Sequence, residues 1–197
     1  MSTMTDPLTD FTSLPAGLPV PEDDGAAAHL VGAVLPPLAL HTSSCETVAL
    51  QDLGPGRTVI YLYPMTGRPG VALPDGWDEI PGARGCSTEA CDFRDHHAEL
   101  VEAGAARVFG LSSQDPGYQR EAAERLRLPF PMLSDPEFDL GEALDLPTFA
   151  APPHPRLYSR LTLIVRDGRI EHVFYPVFPP NEHAQQVLGW LREHPVA

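Results

Sequence analysis

The chain has 197 residues, which fits one domain with extensions better than two domains. It carries 27 acidic residues against 13 basic ones, all arginine, and the formal charge of −14 argues against nucleic acid or an anionic membrane as a partner. There is no apolar run of about 18 residues, and the N-terminus carries acids where a signal peptide carries basic residues. Three cysteines are too few for a disulfide scaffold, so we expect a cytoplasmic protein in which cysteine chemistry is redox, catalytic or metal-binding.

The N-terminal part of the chain differs in composition from the rest. Residues 1–28 are rich in Pro, Asp, Thr and Ala and show no sustained period. This composition predicts a flexible acidic tail, disordered in part or draped over a single domain that spans residues 29–197. The apolar stretch 30–40 is broken by two adjacent prolines and predicts a strand or a short edge element.

Beyond residue 46, segments with the apolar pattern of β-strands alternate with segments that have the periodicity of α-helices. Apolar, β-branched segments predict strands over 47–50, 57–63, 106–113, 130–135, 160–165 and 170–177. Helical periodicity predicts helices over 87–103, 115–126, 136–144 and 181–194, the last three capped by Asp115, Asp135 and Asn181. The first two strands are expected to be paired or directly connected, and Asp167-Gly168 predicts a hairpin between the last two. The order predicts an α/β fold with a central mixed β-sheet flanked by helices on both faces.

The segment from residue 65 to residue 85 is a long loop that ends at a cysteine. Its 21 residues show no period, and a loop of that length is usually functional or a lid. Cys86 then opens the helix, where unpaired N–H groups and the helix dipole are expected to lower the pKa of a thiol.

A second cysteine, Cys91, lies five residues further along the same predicted helix. In an intact helix the two Cα atoms are roughly 8–9 Å apart, beyond the ~7 Å limit for a disulfide. The spacing therefore suits a redox switch that is coupled to local unwinding. The spacing alone is a weak signal, because two cysteines in a helix are more often structural.

The stretch GCSTEACDFRD (85–95) resembles the peroxidatic motif of the peroxiredoxins. It is nearest to the bacterioferritin-comigratory, or Q-type, subfamily of the AhpC/TSA thioredoxin-like proteins. The resemblance extends from about residue 47 to residue 191 and includes the blocks TVIYLYP, VFGLSSQDP, LPFPMLSDP and SRLTLIVRDGRI. It implies a thioredoxin-like fold and thiol-dependent reduction of hydrogen peroxide or organic hydroperoxides.

The resemblance also implies roles for individual residues. Cys86 matches the peroxidatic cysteine, and Cys91 matches the resolving cysteine that closes an intramolecular disulfide. A thioredoxin-like donor would then reduce that disulfide. Arg160 matches the arginine that favours the thiolate and orients the peroxide. The resemblance implies no cofactor or metal, and it suggests a monomer.

The sequence departs from the family pattern just before Cys86. Ala83 stands where the family has a threonine or serine, and the family's proline seven residues before the cysteine is replaced by Glu79. Pro64 still closes the strand, but an insertion of about 15 residues separates it from Cys86. Thr66 is the candidate to supply the missing hydroxyl if the insertion loops out and returns.

Substrate binding is assigned to three residues around the inserted loop, Pro64, Gly85 and Arg84. An equally weighted alternative makes Arg84 a solvated loop arginine. Trp77 is expected to anchor the loop, with an apolar wall over the site as the alternative.

Cys45 is expected to be a buried or half-buried thiol. His96 and His97 resemble a metal pair, but adjacent helix residues point apart. We therefore expect His97 to pack and His96 to face solvent.

Three functions remain open from the residues alone. The first is the peroxidase. The second, a disulfide oxidoreductase, is weakened by the absence of a C-x-x-C motif. The third is a non-enzymatic redox sensor or binding protein on the same fold.

Overall fold

The computed structural model describes residues 11–196. The strands in that part of the chain are β1 (Ala39–Thr42), β2 (Thr47–Ala49), β3 (Arg57–Leu62), β4 (Ala105–Ser112), β5 (Met132–Ser134), β6 (Thr148–Ala151), β7 (His154–Tyr158), β8 (Leu161–Arg166) and β9 (Arg169–Phe174). The helices are α1 (Cys86–Asp95), α2 (His97–Glu102), α3 (Pro116–Leu126), α4 (Asp139–Leu144) and α5 (His183–Glu193). Short 3-10 turns cover Leu50–Asp52, Trp77–Glu79 and Pro180–Glu182.

Seven strands form one mixed sheet in the order β2-β1-β5-β4-β3-β8-β9. Strand β3 is central, parallel to β4 and antiparallel to β8, and all six of its residues are buried. Because side chains alternate along a strand, Val59 and Tyr61 join one core and Ile60 and Leu62 join the other. Side chains of α1, α2 and α5 fill the first core, and α4 packs into the second. The predicted α/β fold, with a central mixed sheet flanked by helices on both faces, is confirmed.

The local signals at helix and strand ends are largely confirmed. The Asp115 carboxylate accepts the backbone N–H of Tyr118 at 2.9 Å at the start of α3. The residues of the β8–β9 turn, Asp167 and Gly168, both have positive φ, as a type I′ turn requires. Asp135 accepts two backbone N–H groups of the first turn of α4.

Several details of the sequence prediction are wrong. Residues 87–103 form two helices that meet at His96, whose φ of −104° and ψ of 8° leave the α-helical range. Strand β2 pairs with β1 and lies at the sheet edge, so of the two expected alternatives for 47–50 and 57–63, the strands are connected along the chain but are not paired. Asn181 lies inside a 3-10 turn, and α5 begins at His183. The separate β6–β7 hairpin was not predicted, because its prolines mask the alternation.

The N-terminal segment lies against the domain over its described part. Residues 11–28 contain no helix or strand, yet Ala27 is buried in the core that α4 joins. The first ten residues of the predicted tail lie outside the described residues, and the boundary between tail and domain at 28 and 29 stays a prediction. Within residues 11–196, no helix is both long and apolar enough to cross a membrane.

Candidate active site

Cys86 is the first residue of α1 and lies at the end of the long loop, with its side chain buried. Gly85 precedes it at a φ of +106°, a conformation that side-chain-bearing residues rarely adopt. A Cβ atom at Gly85 would collide with Pro180 and Leu14. The glycine therefore allows both the turn into the helix and the close packing above it.

Arg160 joins the cysteine to the end of the loop. Its Nη2 lies 3.2 Å from Cys86 Sγ and also donates to the Ala83 carbonyl oxygen at 3.1 Å. Its Nε donates to the Gly82 carbonyl oxygen at 3.2 Å, and its Nη1 pairs with the buried Glu89 carboxylate. The guanidinium thus holds the loop, the thiol and the first turn of α1 in one arrangement, using donors that lysine lacks.

The electrostatic environment of Cys86 differs from the sequence prediction. Burial raises the pKa of the Cys86 thiol above its ordinary value, and Glu89 adds to this effect. The Arg160 guanidinium and a hydrogen bond from the Met65 backbone act in the opposite direction. The expected lowering of the pKa is therefore wrong for this closed site, because removal of water from the helix start costs the thiolate its solvation.

Glu89 is a site residue that sequence reasoning missed. It lies in the first turn of α1 and is fully buried. Burial raises the pKa of Glu89 to about 7, although Arg160 opposes the shift. Its Oε1 atom has no hydrogen-bond partner among the described residues. An acid three residues after Cys86 shares one helix face with it, and that spacing was the available signal.

Pro64 and Thr66 follow β3, and both are buried. The Thr66 hydroxyl donates to Gln114 Oε1 at 3.1 Å, and the Thr66 backbone N–H donates to the same oxygen at 2.9 Å. The residues on either side of Thr66, Met65 and Gly67, line a small cavity next to Cys86. The inserted loop therefore does return to the cysteine, and a role for Thr66 in peroxide binding stays a prediction.

The cavity beside Cys86 is small, at about 10 Å³. Trp77 is buried, packs 6.2 Å from the Phe149 ring and also lines this cavity, so it both anchors the loop and forms a wall. Arg84 lines the cavity too, but its guanidinium donates to Asp78 at 3.0 Å. A volume of this size holds at most about one water molecule.

Cys91 lies half-buried in the same unbroken helix, and both cysteines are free thiols. Burial raises the pKa of the Cys91 thiol, with the Arg94 charge opposing it. Arg94 donates to Asp95 at 2.8 Å and to the Leu126 carbonyl oxygen at 2.8 Å. A Cys86–Cys91 bond requires the first turns of α1 to open, because helical geometry keeps the Cα atoms roughly 8–9 Å apart.

The remaining candidates lie outside this site. Cys45 is exposed, not buried as expected, and its Sγ accepts a hydrogen bond from Arg120 Nη2 at 2.7 Å. The His97 ring packs 5.7 Å from Phe130, and His96 is half-buried against Asp92. No group of three or more potential metal ligands occurs within the described residues.

Comparisons with known proteins agree with this fold and site. The Redoxin family model matches residues 9–188. Peroxiredoxin Bcp of Escherichia coli is 31% identical over 166 residues, covering 83% of this chain and 96% of that protein. The chloroplastic peroxiredoxin Q of Gentiana triflora is 27% identical over 187 residues, covering 91% of this chain and 77% of that protein. The crystal structure of peroxidoxin BcpB from Mycobacterium tuberculosis superposes with a TM-score of 0.66 at 24% identity, covering 85% of this chain and all of that one.

A thioredoxin-like sheet with a buried cysteine at a helix start, beside an arginine, defines a redoxin. The chain belongs to the peroxiredoxins, in the group of the Bcp and Q-type proteins. It is accordingly a thiol-dependent peroxidase with a peroxide substrate and a thiol reductant.

Proposed function

We propose that this chain reduces peroxides with Cys86 as the attacking thiol and Cys91 as the resolving thiol. The observation that carries the proposal is the 3.2 Å approach of Arg160 Nη2 to the Cys86 sulfur. Within the described part of the chain, Cys86 is the cysteine that combines a helix start, burial and a guanidinium donor. Cys45 also has a guanidinium donor, Arg120, but it is exposed and lies between β1 and β2, away from any helix start.

In the first step the Cys86 thiolate attacks one oxygen of the peroxide, and the O–O bond breaks. The sulfur becomes a sulfenic acid, and the other oxygen takes up a proton and leaves as water or an alcohol. Arg160 stabilises the thiolate and the negative charge that develops on the leaving oxygen. Pro64, Gly85 and Arg84 shape the peroxide pocket, and Thr66 donates a hydrogen bond to the peroxide after release from Gln114.

In the second step Cys91 attacks the sulfenic sulfur of Cys86, a disulfide forms and water leaves. The first turns of α1 open to allow the two sulfur atoms to meet. A thioredoxin-like dithiol then reduces the disulfide by exchange and is itself oxidised. Because both cysteines belong to one chain, the cycle needs no second subunit, and we propose a cytoplasmic monomer.

A stopped-flow experiment with one equivalent of hydrogen peroxide tests this assignment. Wild type is compared with Cys86→Ser and Cys91→Ser by Trp fluorescence and by the intact mass of quenched samples. Loss of two hydrogens in wild type, a trapped sulfenic acid in Cys91→Ser and no reaction in Cys86→Ser are expected. Cys45→Ser serves as the matched control, with wild-type kinetics.

The opposite result would be oxidation of wild type no faster than that of a free thiol. It would show that the motif is present without a working pocket. The alternative of a redox sensor or binding protein on the same fold would then replace the peroxidase. Insulin reduction assayed in parallel separates a disulfide oxidoreductase from both.

A further inference from the structure

We propose that residues 11–21 form a displaceable cover over Cys86, in which Phe11 and Leu14 limit how fast a peroxide reaches the thiol. The inference rests on the proposed role of Cys86 as the attacking thiol. It assigns a gating role for the reaction to a segment that precedes the sheet and contains no helix or strand.

The cover contacts the residues immediately around the thiol. The Phe11 ring lies flat against Gly67, where an added Cβ atom would come within 2.5 Å of the ring. Phe11 also lines the cavity at Cys86 and lies 6.0 Å from the Arg84 guanidinium. Leu14 packs on Gly85, the residue that leads into α1.

These contacts leave little free space beside the sulfur. The cavity at Cys86 measures about 10 Å³, and Phe11 forms one of its walls together with Trp77 and Leu73 of the inserted loop. Hydrogen peroxide has two oxygen atoms, and an organic hydroperoxide is larger, so neither fits beside the thiol while Phe11 is in place. The loop walls belong to the packed cluster around Trp77, which makes the cover the part that moves.

The attachment of the cover suits a part that opens. The chain is fixed from Asp24 onward, because the Asp24 carboxylate accepts the Tyr175 hydroxyl at 2.9 Å and Ala27 is buried. Upstream of that anchor, no hydrogen bond within the described part of the chain joins residues 14–21 to the domain. Residues 14–21 contact the domain through half-buried apolar side chains, and segments with few contacts open at low free-energy cost.

The same contacts connect the cover to the resolution step. Opening of α1 requires Gly85 to move, and Gly85 is packed between Leu14 and Pro180. Release of the cover therefore precedes both peroxide entry and the approach of Cys91. One displacement controls the two thiol reactions of the cycle.

The test uses the full chain with Cys45→Ser and Cys91→Ser, so that Cys86 is the remaining thiol. Phe11→Ala and Leu14→Ala are added singly and together. Two rates are measured by intact mass: alkylation of Cys86 by iodoacetamide, and its oxidation by hydrogen peroxide or cumene hydroperoxide. We expect the double cover variant to raise every rate about fivefold or more, with the largest gain for cumene hydroperoxide.

Val20→Ala is the matched control, because Val20 belongs to the same segment and is 63% exposed. It is expected to react at the parent rate. Urea unfolding of all variants verifies that the rates do not follow global stability. The cover proposal would be overturned if the alkylation and oxidation rates of the double variant stayed within twofold of the parent. It would also be overturned if Val20→Ala accelerated these rates equally.

This experiment distinguishes failure of the cover proposal from failure of the proposed role of Cys86 as the attacking thiol. Faster alkylation without measurable peroxide oxidation in any variant retains the cover and rejects Cys86 as a peroxidatic thiol. Rapid peroxide oxidation at the same rate in all variants retains the peroxidase and rejects the cover.

Discussion

Among single residues, Arg160 decides the chemistry of the Cys86 thiol. Its guanidinium contacts the sulfur, the Glu89 carboxylate and the carbonyl oxygens that end the inserted loop. Without that charge, burial would leave both the thiolate and the carboxylate uncompensated. The site therefore depends on the number and geometry of the donors as well as on the charge.

Arg160→Lys tests this dependence. Lysine keeps the positive charge but cannot reach Gly82, Glu89 and Cys86 together, so the thiolate and the transition state lose a fixed donor. We expect the second-order rate constant with hydrogen peroxide to fall by about 10² or more. Arg156→Lys, at a surface ion pair with Glu142, is the control and should react as wild type. An unchanged rate in Arg160→Lys would mean that charge alone suffices.

Glu89→Gln tests the buried acid through stability. Because the folded-state pKa of about 7 lies above the ordinary 4.5, the folded protein binds the proton more tightly. The resulting stability is complete below about pH 4.5 and is lost as pH rises through about 7. Urea unfolding at pH 5 and pH 8 should therefore show a smaller decline in Glu89→Gln than in wild type. Equal declines in the two proteins would mean that Glu89 does not contribute to the pH dependence of the free energy of unfolding.

The same variant changes the reactivity of the thiol. The ionised carboxylate raises the pKa of Cys86, so glutamine should lower the pKa of that thiol. The pH profile of iodoacetamide alkylation at Cys86 should shift to lower pH. A shift to higher pH would mean that Glu89 acts mainly by holding Arg160 in place.

At the scale of elements, helix α1 carries both cysteines, and the proposed disulfide requires it to be stable in the reduced state and open in the oxidised state. The reduced state stabilises it through Phe93, which stacks on Tyr61 of β3 at 4.2 Å, and through Asp92, which accepts the Ala184 N–H of α5 at 2.8 Å. Both contacts lie in the second half of α1. The first half, from Cys86 to Ala90, lies between the two cysteines and is the part that must open for the proposed disulfide to form.

Hydrogen exchange on the reduced and the peroxide-treated protein checks this division. The Glu89 and Ala90 amides should be protected when reduced and exchange much faster after oxidation, because a disulfide at this spacing is incompatible with an intact helix. The Val187 and Leu188 amides of α5, which lie in the same core, are the internal control. Unchanged protection of the α1 amides in a sample whose mass shows the disulfide would contradict the required unwinding.

For the whole molecule, the dominant global property is charge. A net charge of −14 on 197 residues places many carboxylates on the surface of one domain, and their repulsion opposes the compact state. No lysine occurs, so every cation is an arginine, and many of these arginines are committed to ion pairs such as Arg57–Glu171 and Arg125–Glu121. Much of the negative charge therefore remains unpaired.

Thermal unfolding at increasing salt tests that repulsion. Raising NaCl from about 10 to 500 mM shortens the screening length, so the melting temperature should rise by several degrees. KCl at equal ionic strength is the control and should give the same shift. A lower melting temperature in salt would mean that the internal ion pairs outweigh the surface repulsion.

The sequence by itself determined most of the framework and singled out Cys86 as the candidate nucleophile. Strand β3, the α3 cap at Asp115 and the β8–β9 turn follow from local patterns, because period, capping and positive φ are properties of neighbouring residues. Cys86 became the candidate from a loop, a cysteine and a helix in succession, together with the resemblance of residues 85–95 to the peroxidatic motif. The hairpin β6–β7 was missed because its prolines obscure the local signal.

Only the tertiary structure decided what surrounds the thiol. The resemblance had assigned Arg160 to the site, but its 3.2 Å contact with Cys86 across 74 residues of chain is seen only in the structure. Strand β2 likewise pairs with β1 instead of β3, because nonlocal pairings depend on how whole elements pack. The burial of Glu89 and the raised pKa of Cys86 follow from the exclusion of water from the assembled site. Solvation is a property of the assembled site, so no local pattern in the sequence contains it.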